Sequence, residues 1–497
     1  MRHGRKLEGI PPQERLMGCE CLGVRPPLWD RFRWKKSRAR RVNWTPAEPN
    51  LGWCENTPKP ESVAATRTQK SASQAETQGE CSMKGTEDTS QTERYIALDI
   101  HKEYVLAGGQ NAEQEWVMPP RRISMGKFGE WARGNLRAGD AVVIETTTNV
   151  WDIYDVVAPL ASRTVVAHAG AVRQIAEARV KTDKEDVKRL IRLLIADIVP
   201  EVWVPPTHVR ELRGMISYRN RLVKMGTMVR NRLQSLLHRH NILLPKGGLQ
   251  DEAWWQAQRM SAMEKMQIQQ ELAMLAELDR HKTEVDAELG RQSLGQVWSK
   301  QAVRLLQLPG FGVVMTMIVL SAIGDIQRFE NAKKLVGYAG LGAGVHDSGK
   351  EHIQKRITKS GRKELRWALV EAAWQAIRIS PYWKEQYEKY LRRMRLPNQA
   401  IVVIARKLLV AVWHVLTKEE TDEHANEEDL AYKMLVLAWD LDETVRMGLS
   451  YKQFAKYALM KLGVETDITR FVRKNVPRRV ASREETLARM EQLGIAV

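Results

Sequence analysis

The order of short apolar segments between Tyr95 and Ala196 constrains the fold of this chain more than any other feature of its sequence. Short segments rich in Val, Ile and Ala predict strands, and longer segments with an apolar residue every three or four positions predict helices. The resulting order is three strands, then a helix, a strand, a helix, a strand and a closing helix. These elements are predicted at Tyr95–Ile100, Tyr104–Ala107, Glu115–Met118, Met125–Leu136, Ala141–Glu145, Val150–Leu160, Arg163–Ala167 and Lys184–Ala196.

This order is that of an α/β fold of the RNase H-like (RuvC-like) type, in which helices cover the faces of a mixed sheet. We expect such a domain over residues 94–206. A long, coiled-coil-like helical arm is expected over 207–298, with a second helical run from Ala253 to Leu289. A mainly α second domain is expected over 299–418 and a helical tail over 419–497. Residues 1–93 are polar and basic without a sustained period, which predicts a disordered extension.

The charge of the chain indicates the kind of partner that it binds. Lys and Arg number 78 against 60 Asp and Glu, which gives a formal net charge of +18. Such a surplus favours a polyanion, either nucleic acid or an anionic membrane surface. The longest apolar run identified, around Val313–Ile323, is too short to span a bilayer, and no secretory signal is recognisable. We therefore expect a cytoplasmic, nucleoid-associated protein that binds nucleic acid and no membrane.

The first helix of the predicted arm is strongly basic. Its basic residues either contact nucleic acid or form a solvated face, and the sequence leaves both interpretations open. The two helices of the arm are also a natural dimerisation element. The basic residues are Arg210, Arg213, Arg219, Arg221, Lys224, Arg230, Arg232 and Arg239.

Four carboxylates stand at the ends of the predicted elements. Asp99 is near the end of the first strand, Glu145 ends a later strand, and Asp183 and Asp186 begin the closing helix. The two strands are neighbours in an RNase H-like sheet, and helix residues three apart share a face, so we expect the four side chains to surround one point. Carboxylates this close together need cations. Mg²⁺ is the natural one, and two ions would suit in-line attack on a phosphodiester.

Each of these carboxylates alone has a structural explanation. Asp183 is a plausible N-cap of its helix. Glu185 lies on a different face from the Asp183 and Asp186 pair and is not expected to join them. His101 and Lys102 flank Asp99, and the sequence assigns no chemical role to either.

The segment Leu308-Pro309-Gly310-Phe311-Gly312 precedes an apolar helix. Glycine-rich turns of the helix-hairpin-helix type present backbone N–H groups to a phosphate, which makes Gly310 and Gly312 candidate nucleic-acid ligands. A plain connection between a loop and a helix explains the same residues.

The stretch from Tyr338 to Leu369 combines glycines, serines and basic residues. It contains the runs Tyr338–Gly342, Asp347–Lys350, Ile357–Arg362 and Leu365-Arg366. A serine next to glycine in a loop can expose its hydroxyl as a nucleophile, and spacing alone does not choose between Ser348 and Ser360. Basic side chains would attract an incoming phosphate here, namely Lys350, Lys355, Arg356, Lys359 and Arg362.

Taken together, these motifs resemble the insertion-sequence-110 family of transposases, the DEDD-type recombinases guided by a bridge RNA. The resemblance covers roughly residues 94–418. The four carboxylates and the run Lys181–Asp186 match the nuclease-like half, and the series Gly340–Arg366 matches the second half. The resemblance implies a RuvC-like DEDD nuclease domain over 94–206 and a serine-bearing transposase domain over 299–418.

The same resemblance implies roles for individual residues and partners. Asp99, Glu145, Asp183 and Asp186 would hold Mg²⁺, and Ser348 would attack the DNA backbone to form a covalent phosphoserine link. Two subunits would share a composite site, within a dimer or a tetramer. A structured guide RNA would pair with donor and target DNA, so that base pairing, and not the protein, reads the sequence.

Two other functions are weighed against the transposase. A RuvC-like structure-specific endonuclease, such as a Holliday-junction resolvase, needs only the four carboxylates and leaves the region around Ser348 without a role. A non-catalytic nucleic-acid-binding protein needs neither, and the intact carboxylates argue against it. The predicted function is therefore DNA strand cleavage and exchange for an insertion sequence.

Overall fold

The computed structural model describes residues 92–175, 182–348, 351–394, 396–424, 426–464, 467–473 and 475–495, with the backbone alone at 345–348 and 351–355. These residues form two compact units that divide between Val204 and Pro205. The first unit is mixed α/β and the second is mostly helical. Nearly all of the predicted extension at 1–93 lies outside the described residues, and so does Lys350.

The first unit contains five strands: β1 (Arg94–Ile100), β2 (Tyr104–Gln110), β3 (Trp116–Ser124), β4 (Asp140–Glu145) and β5 (Arg163–Ala167). They form one sheet in the order β3-β2-β1-β4-β5. β1, β2 and β3 pair antiparallel, and β1, β4 and β5 pair parallel. The predicted adjacency of the first strand and the strand ending at Glu145 is confirmed.

Four helices accompany this sheet: α1 (Phe128–Asn135), α2 (Val150–Val157), α3 (Ala169–Ile175) and α4 (Asp183–Ile195). α1 and α2 pack with Ile96 and Leu98, whereas α4 packs with Ala97 and Val143. Successive side chains of a strand point to opposite faces, so the two groups define two layers of core. The eight predicted elements are present, with β3 longer than predicted, and α3 has no counterpart among them.

An ion pair holds the starting ends of β1 and β4 together. Arg94 donates through Nε and Nη2 to the two carboxylate oxygens of Asp140, each at 2.7 Å. Asp140 is fully buried, so this two-pronged, charge-assisted contact is a strong constraint on the register. Leu98 therefore lies opposite Ile144, and the residues that follow them, Asp99 and Glu145, stand at the same edge of the sheet.

Long helices open the second unit: α5 (Thr207–Arg239), the short α6 (Glu252–Ala257) and α7 (Ala262–Ser293). Leucines of α5 pack against Ile268 and Leu275 of α7 to form a shared core. The predicted continuous helix from Ala253 is wrong, because α7 starts afresh after residue 261. Ser261 caps α7 in a reciprocal capping box with Glu264, which fixes that start.

Several arginines of α5 pair with acids of α7. The pairs are Arg219 with Asp286, Arg230 with Asp279 and Arg232 with Glu271. As the residue number of the arginine on α5 increases, the residue number of its partner on α7 decreases, so the two helices are antiparallel. These three arginines thus have a role that the sequence did not predict, which is to join the helices of the arm.

The middle of the second unit is mainly helical, with one strand pair. Its elements are α8 (Ser299–Gln307), α9 (Val313–Ile323), α10 (Ala332–Tyr338), β6 (Ala343–Ser348), β7 (Glu351–Ile357), α11 (Lys363–Ile379), α12 (Pro381–Arg393) and α13 (Pro397–Lys418). The last eight residues of α9 are buried, and the helix packs against α5, α7, α8 and α11. The antiparallel pair β6–β7 was not predicted.

Helix α13 is the one helix in the described part of the chain that is long and apolar enough to cross a bilayer. The sequence analysis did not single out this helix, because Arg406 and Lys407 interrupt its apolar residues. Half of the apolar window of α13 is buried inside the protein, with Ile404, Leu408 and Val412 fully buried. The helix packs against α8, α10, α11 and α12, and a core helix passes the same length and composition test.

The tail contains α14 (Glu427–Asp440), α15 (Tyr451–Lys461), β8 (Arg470–Arg473), β9 (Val476–Arg479) and α16 (Arg483–Gln492). α14 packs against α8 and α15, and α15 packs against α16. The expectation of a purely helical tail is therefore wrong at residues 470–479. Phe471 and Arg473 lie on one face of this strand pair and Val472 on the other, which is the period of two that a strand has.

Candidate active site

The four predicted carboxylates lie at one edge of the sheet and at the start of α4. Asp99 is the sixth residue of β1 and Glu145 is the last residue of β4. Asp99 stands two residues after Ala97, and Glu145 two residues after Val143. Side chains two apart on a strand share a face, so both carboxylates point to the face that α4 covers. Asp183 and Asp186 occupy the first turn of α4, whose Val187, Leu190, Ile191 and Leu194 are buried against that face.

The N-cap of α4 is Thr182 and not Asp183. The Thr182 hydroxyl oxygen accepts a hydrogen bond from the backbone N of Glu185 at 3.3 Å. Asp183 therefore does not cap the helix, so the structural explanation that its position in the sequence suggested does not apply. Glu185 is exposed, whereas Asp183 and Asp186 are half-buried.

Asp99, Asp183 and His101 form the tightest group of potential metal ligands among the described residues. Their ligand atoms all lie within 4.8 Å of one another. Nε2 of His101 is 3.1 Å from Oδ2 of Asp99 and 3.8 Å from Oδ2 of Asp183. The imidazole also stacks on the ring of Tyr104 with 4.4 Å between centroids. The two aspartates thus lie close together, with a histidine between them that the sequence analysis left without a role.

Tyr104 and Arg122 orient Asp183. The Tyr104 hydroxyl donates to Oδ2 of Asp183 at 3.1 Å, and Nη2 of Arg122 donates to the same oxygen at 3.2 Å. The Tyr104 hydrogen bond is the main cause that lowers the pKa of Asp183, with help from the charges of His101 and Arg122. Asp183 therefore remains an anion in the absence of any other cation.

The pKa values of Asp99 and Glu145 shift the other way. Burial raises the pKa of Asp99, and the charges of Asp183 and Asp186 raise it further, against the lowering effect of His101. Burial also raises the pKa of Glu145, to which the charges of Asp99 and Asp186 add. Glu145 and Asp186 fall outside the 4.8 Å group, yet their charges act on the other carboxylates. Mutual repulsion of this kind is relieved when a cation binds.

One oxygen of Asp186 remains without a hydrogen bond. Oδ1 of Asp186 is buried and has no hydrogen-bond partner among the described residues. It lies 3.1 Å from Nη1 of Arg189, one turn along α4, but the geometry of this ion pair is not that of a hydrogen bond. A buried carboxylate oxygen with an open coordination position fits a divalent cation, which prefers such hard oxygen donors.

Ser348 lies at the tip of the β6–β7 hairpin. It is the last residue of β6 and stands opposite Glu351, the first residue of β7, so a connection of two residues separates them. Ser360 lies beyond the other end of the hairpin, after β7, and is exposed. The structure therefore separates the two candidate serines, one at the tip of a hairpin and one at its base.

The glycine-containing motifs on either side of the hairpin bind each other through their backbones. Thr358 N donates to the carbonyl of Gly342 at 3.0 Å, and Arg362 N donates to the carbonyl of Tyr338, also at 3.0 Å. Gly361 has φ +101° and packs so closely that a Cβ would lie 2.2 Å from the Tyr338 carbonyl oxygen. This series therefore builds a rigid base from which the hairpin extends.

Three arginines gather around Tyr338 at this base. Arg362 donates through Nε to the Tyr338 hydroxyl at 3.2 Å, and the guanidinium of Arg328 lies 4.4 Å from the centre of the Tyr338 ring. Arg213 donates to the carbonyls of Ser321 at 2.7 Å and of the next residue at 3.1 Å, at the end of α9.

This cluster is strongly electropositive. Burial and then the charge of Arg362 lower the pKa of Arg213 to about 10. Burial would raise the pKa of Tyr338, but the charges of Arg362, Arg328 and Arg213 outweigh it and lower that pKa. Such a concentration of positive charge attracts an anion.

The Leu308–Gly312 segment has a packing role. Gly310 has φ +86°, and a Cβ there would lie 2.2 Å from the backbone oxygen of Ala372 on α11. Phe311 is fully buried, and Nζ of Lys433 donates to the carbonyl of Leu308 at 3.1 Å. The glycine at 310 is thus explained by packing alone, whereas nothing lies within 4 Å of a Cβ placed at Gly312.

The remaining predicted phosphate ligands differ in position. Lys359 is exposed, with φ +56°, and its backbone N donates to the carbonyl of Gly340 at 3.2 Å. Arg362 is half-buried in the cluster around Tyr338. Lys350 lies outside the described residues. The residues that the sequence analysis missed are His101, Tyr104 and Arg122.

Residues 302–388 match the family described as transposases of the IS116/IS110/IS902 family. This range includes the Leu308–Gly312 segment, the β6–β7 hairpin and, of the cluster around Tyr338, every residue except Arg213.

Several proteins of known name are similar to the chain. The transposase for insertion sequence element IS1111A of Coxiella burnetii is 24% identical over 254 residues, which are 48% of this chain and 68% of that protein. The pilin gene-inverting protein of Moraxella bovis is 37% identical over 121 residues, which are 23% of this chain and 37% of that protein. The protein y4qE of Sinorhizobium fredii is 26% identical over 231 residues, which are 45% of this chain and 55% of that protein. The chain thus spans about half the length of the relatives it matches.

Proposed function

We propose that the chain, whose residues 302–388 match the IS116/IS110/IS902 family of transposases, cuts and exchanges DNA strands for an insertion sequence. The observation that carries this proposal is the joint presence of that domain and of a group of carboxylates, formed around Asp99 and Asp183, in one chain. The similarity to a pilin gene-inverting protein supports recombination between two DNA sites.

We also propose that residues 92–204 form a RuvC-like, RNase H-like nuclease domain. The supporting observation is the order β3-β2-β1-β4-β5, in which three antiparallel strands are followed by two parallel ones. Helices on both faces and carboxylates on the central strands fit the same assignment.

Asp99, Glu145, Asp183 and Asp186 are the residues that would hold Mg²⁺, as one ion or two. The open oxygen of Asp186 and the raised pKa values of Asp99 and Glu145 support a cation at this place. Bound Mg²⁺ would neutralise the carboxylates and withdraw charge from a phosphate oxygen of the DNA. His101 would position Asp99 by its contact, and the Tyr104 hydrogen bond, with help from Arg122, would position Asp183 and hold it ionised.

Ser348 is the proposed nucleophile. Its hydroxyl oxygen would form a bond to phosphorus while the bond from phosphorus to one deoxyribose oxygen breaks, and the serine proton would end on that leaving oxygen. A covalent phosphoserine link would conserve the energy of the phosphodiester, so that a second strand end can reverse the step and rejoin. The position of Ser348 at the tip of a hairpin supports access to a DNA backbone.

We propose that the cluster around Tyr338 binds DNA phosphate next to the hairpin. Arg362 is the strongest candidate ligand, because it is only half-buried and its side-chain hydrogen bond to Tyr338 uses Nε alone. Lys359, which is exposed, would add positive charge near Gly340, and Lys350 stays a candidate from the sequence alone. Gly312 could offer its backbone N–H, whereas the packing of Gly310 makes a direct role for it unnecessary.

The partners implied by the family resemblance are donor DNA, target DNA and a structured guide RNA. The net charge of +18 supports binding to several polyanions at once. A dimer or tetramer would let the carboxylates of one subunit act with Ser348 of another. We expect the protein to act at the bacterial nucleoid.

The proposal is tested by strand transfer with the full chain, Mg²⁺, donor and target DNA, and RNA from the flanking non-coding sequence. We expect wild type to form recombinant DNA and a covalent protein–DNA adduct. Asp99→Asn and Ser348→Ala should lose both products. Ser360→Ala is the matched control, because Ser360 is exposed at the base of the same hairpin, and it should retain both.

Ser348→Ala and Asp99→Asn together separate the transposase from its alternative. If Ser348→Ala still cuts branched DNA at the wild-type rate while Asp99→Asn does not, the chain is a structure-specific endonuclease of the Holliday-junction type. If neither substitution changes any product, the carboxylates and the serine have no catalytic role.

A further inference from the structure

The basic hairpin of the tail, β8–β9, is not used by the proposed function. Residues 470–483 contain six basic residues and no acidic one. Arg470 stands directly opposite Arg479, and Val472 stands directly opposite Pro477. Like charges placed opposite each other destabilise a strand pair, so this arrangement has no benefit for the hairpin itself.

The inner face of the hairpin is fixed to the rest of the second unit. Phe471 is buried, and Arg473 forms an ion pair with Asp429 of α14. The guanidinium of Arg473 also lies 5.3 Å from the centre of the Tyr432 ring, on the same helix. The hairpin is therefore held in place through one of its two faces.

The outer face consists of two of the four opposed pairs, and all four residues are exposed: Arg470 with Arg479, and Val472 with Pro477. Val472 is 63% exposed, which is unusual for a valine in a strand. In the described part of the chain no carboxylate lies within 4 Å of Arg470, and Arg479 makes one long ion pair, 3.4 Å, with the exposed Glu485. This face combines two cations with an apolar centre.

We propose that this outer face is a docking surface for duplex DNA, with Arg470 and Arg479 on backbone phosphates and Val472 and Pro477 against the groove. A two-stranded antiparallel ribbon fits the major groove of B-form DNA, which is about 12 Å wide. The major groove of A-form RNA is too narrow for side chains to enter. Single strands are bound by stacking on aromatic rings, and the outer face presents none.

This surface is made of residues other than the carboxylates and Ser348, and the proposal does not depend on cleavage. It gives residues of the tail a role in holding DNA, independent of the residues that would cut it. Binding and catalysis are therefore measured by different experiments, and one can fail without the other.

The test compares full-length wild type with the double variant Arg470→Gln/Arg479→Gln, using fluorescence anisotropy of a labelled DNA duplex at several salt concentrations. We expect about tenfold weaker binding, and a slope of log Kd against log salt lower by about 1.8, because two phosphate contacts are lost. The substituted side chains are exposed, so the circular dichroism spectrum and melting temperature should not change.

The matched control is Arg392→Gln/Arg393→Gln, which removes the same charge from exposed residues at the end of α12. An equal loss of affinity in this control would overturn the proposal, because the effect would then be one of net charge. Competition provides a second criterion: unlabelled duplex DNA should displace the probe better than duplex RNA, single-stranded DNA or anionic vesicles. Equal displacement by any of these would also overturn it. A chain that binds through the hairpin but transfers no strands contradicts the proposed function alone.

Discussion

Asp186 differs from the other carboxylates of the site in having one buried oxygen without a hydrogen bond. If that oxygen binds a cation, Asp186→Asn should reduce Mg²⁺-dependent cleavage by roughly 100-fold or more and raise the Mg²⁺ concentration needed for half-maximal rate. The measurement is the initial rate of DNA cleavage over a series of Mg²⁺ concentrations.

Glu185 provides the control for this substitution. It is the neighbouring residue on α4, carries the same charge and is exposed. Glu185→Gln should leave the rate and its Mg²⁺ dependence unchanged. A Glu185→Gln variant as impaired as Asp186→Asn would mean that the charge of the helix start matters and that no specific oxygen is a ligand.

Gly310 and Gly312 belong to one motif but have opposite surroundings. Gly310→Ala forces a side chain against the Ala372 carbonyl at a positive φ, and we expect it to destabilise the fold by about 3 kcal/mol. Gly312→Ala meets open space and should change stability by less than about 1 kcal/mol. Urea unfolding midpoints measure both. Unchanged stability with weakened DNA binding in Gly310→Ala would instead make the loop a phosphate ligand.

At the scale of elements, the two helices of the arm are joined by ion pairs of unequal burial. The Arg219 side chain is 4% exposed, whereas the side chains of Arg230 and Asp279 are 39% and 51% exposed. Asp286→Asn removes the charge that compensates Arg219, and we expect a loss of about 3 kcal/mol. Asp279→Asn should lose less than about 1 kcal/mol, because exposed pairs contribute little.

Denaturation followed by helical circular dichroism compares these two variants on the same interface. Similar midpoints for Asp286→Asn and Asp279→Asn would show that the buried pair is not important for the arm.

The elements that the sequence predicts are those whose apolar residues repeat with a clear period. β1 and β4 are runs of buried aliphatic residues, and α4 buries Val187, Leu190 and Ile191 on one side, so their order and type follow directly from the pattern. The hairpins β6–β7 and β8–β9 escaped prediction because charged residues interrupt their short apolar alternation. What stabilises these strands is pairing with a neighbour, which is a contact that a single segment does not display.

The residues of the candidate site also differ in whether the sequence alone could predict them. Asp99 and Glu145 were predictable because a carboxylate ending an apolar strand has few structural reasons to be there. His101 stands two residues after Asp99, on the same side of the chain, and that spacing is the signal that could have found it. Arg122 could not be predicted from the sequence. It lies 61 residues before Asp183, and only the pairing of β2 with β3 brings the two side chains together.

At the scale of the whole molecule, the two compact units should respond differently to a cation. The predicted ligands all belong to residues 92–204, so Mg²⁺ should stabilise that unit alone. At 100 times its dissociation constant a ligand adds about 2.7 kcal/mol, which would raise the melting transition of this unit by roughly 5 °C or more. Differential scanning calorimetry with and without Mg²⁺ measures the shift.

Asp99→Asn serves as the control, since it should abolish the shift without changing the other transition. If Mg²⁺ moves the transition of residues 205–495 instead, or moves both in the Asp99→Asn variant as well, the cation binds elsewhere on the protein and the carboxylate site loses its main support.

Helix α13 has a consequence for how the protein is made. The helices against which it packs, α8, α10, α11 and α12, all precede it in the chain, so the ribosome has already released them when the most apolar segment emerges. The newly made helix can therefore pack against these earlier helices before the machinery that delivers hydrophobic segments to a membrane binds it. Placing the same segment ahead of its partners, by circular permutation, would therefore divert the newly synthesised chain towards that machinery or towards aggregation.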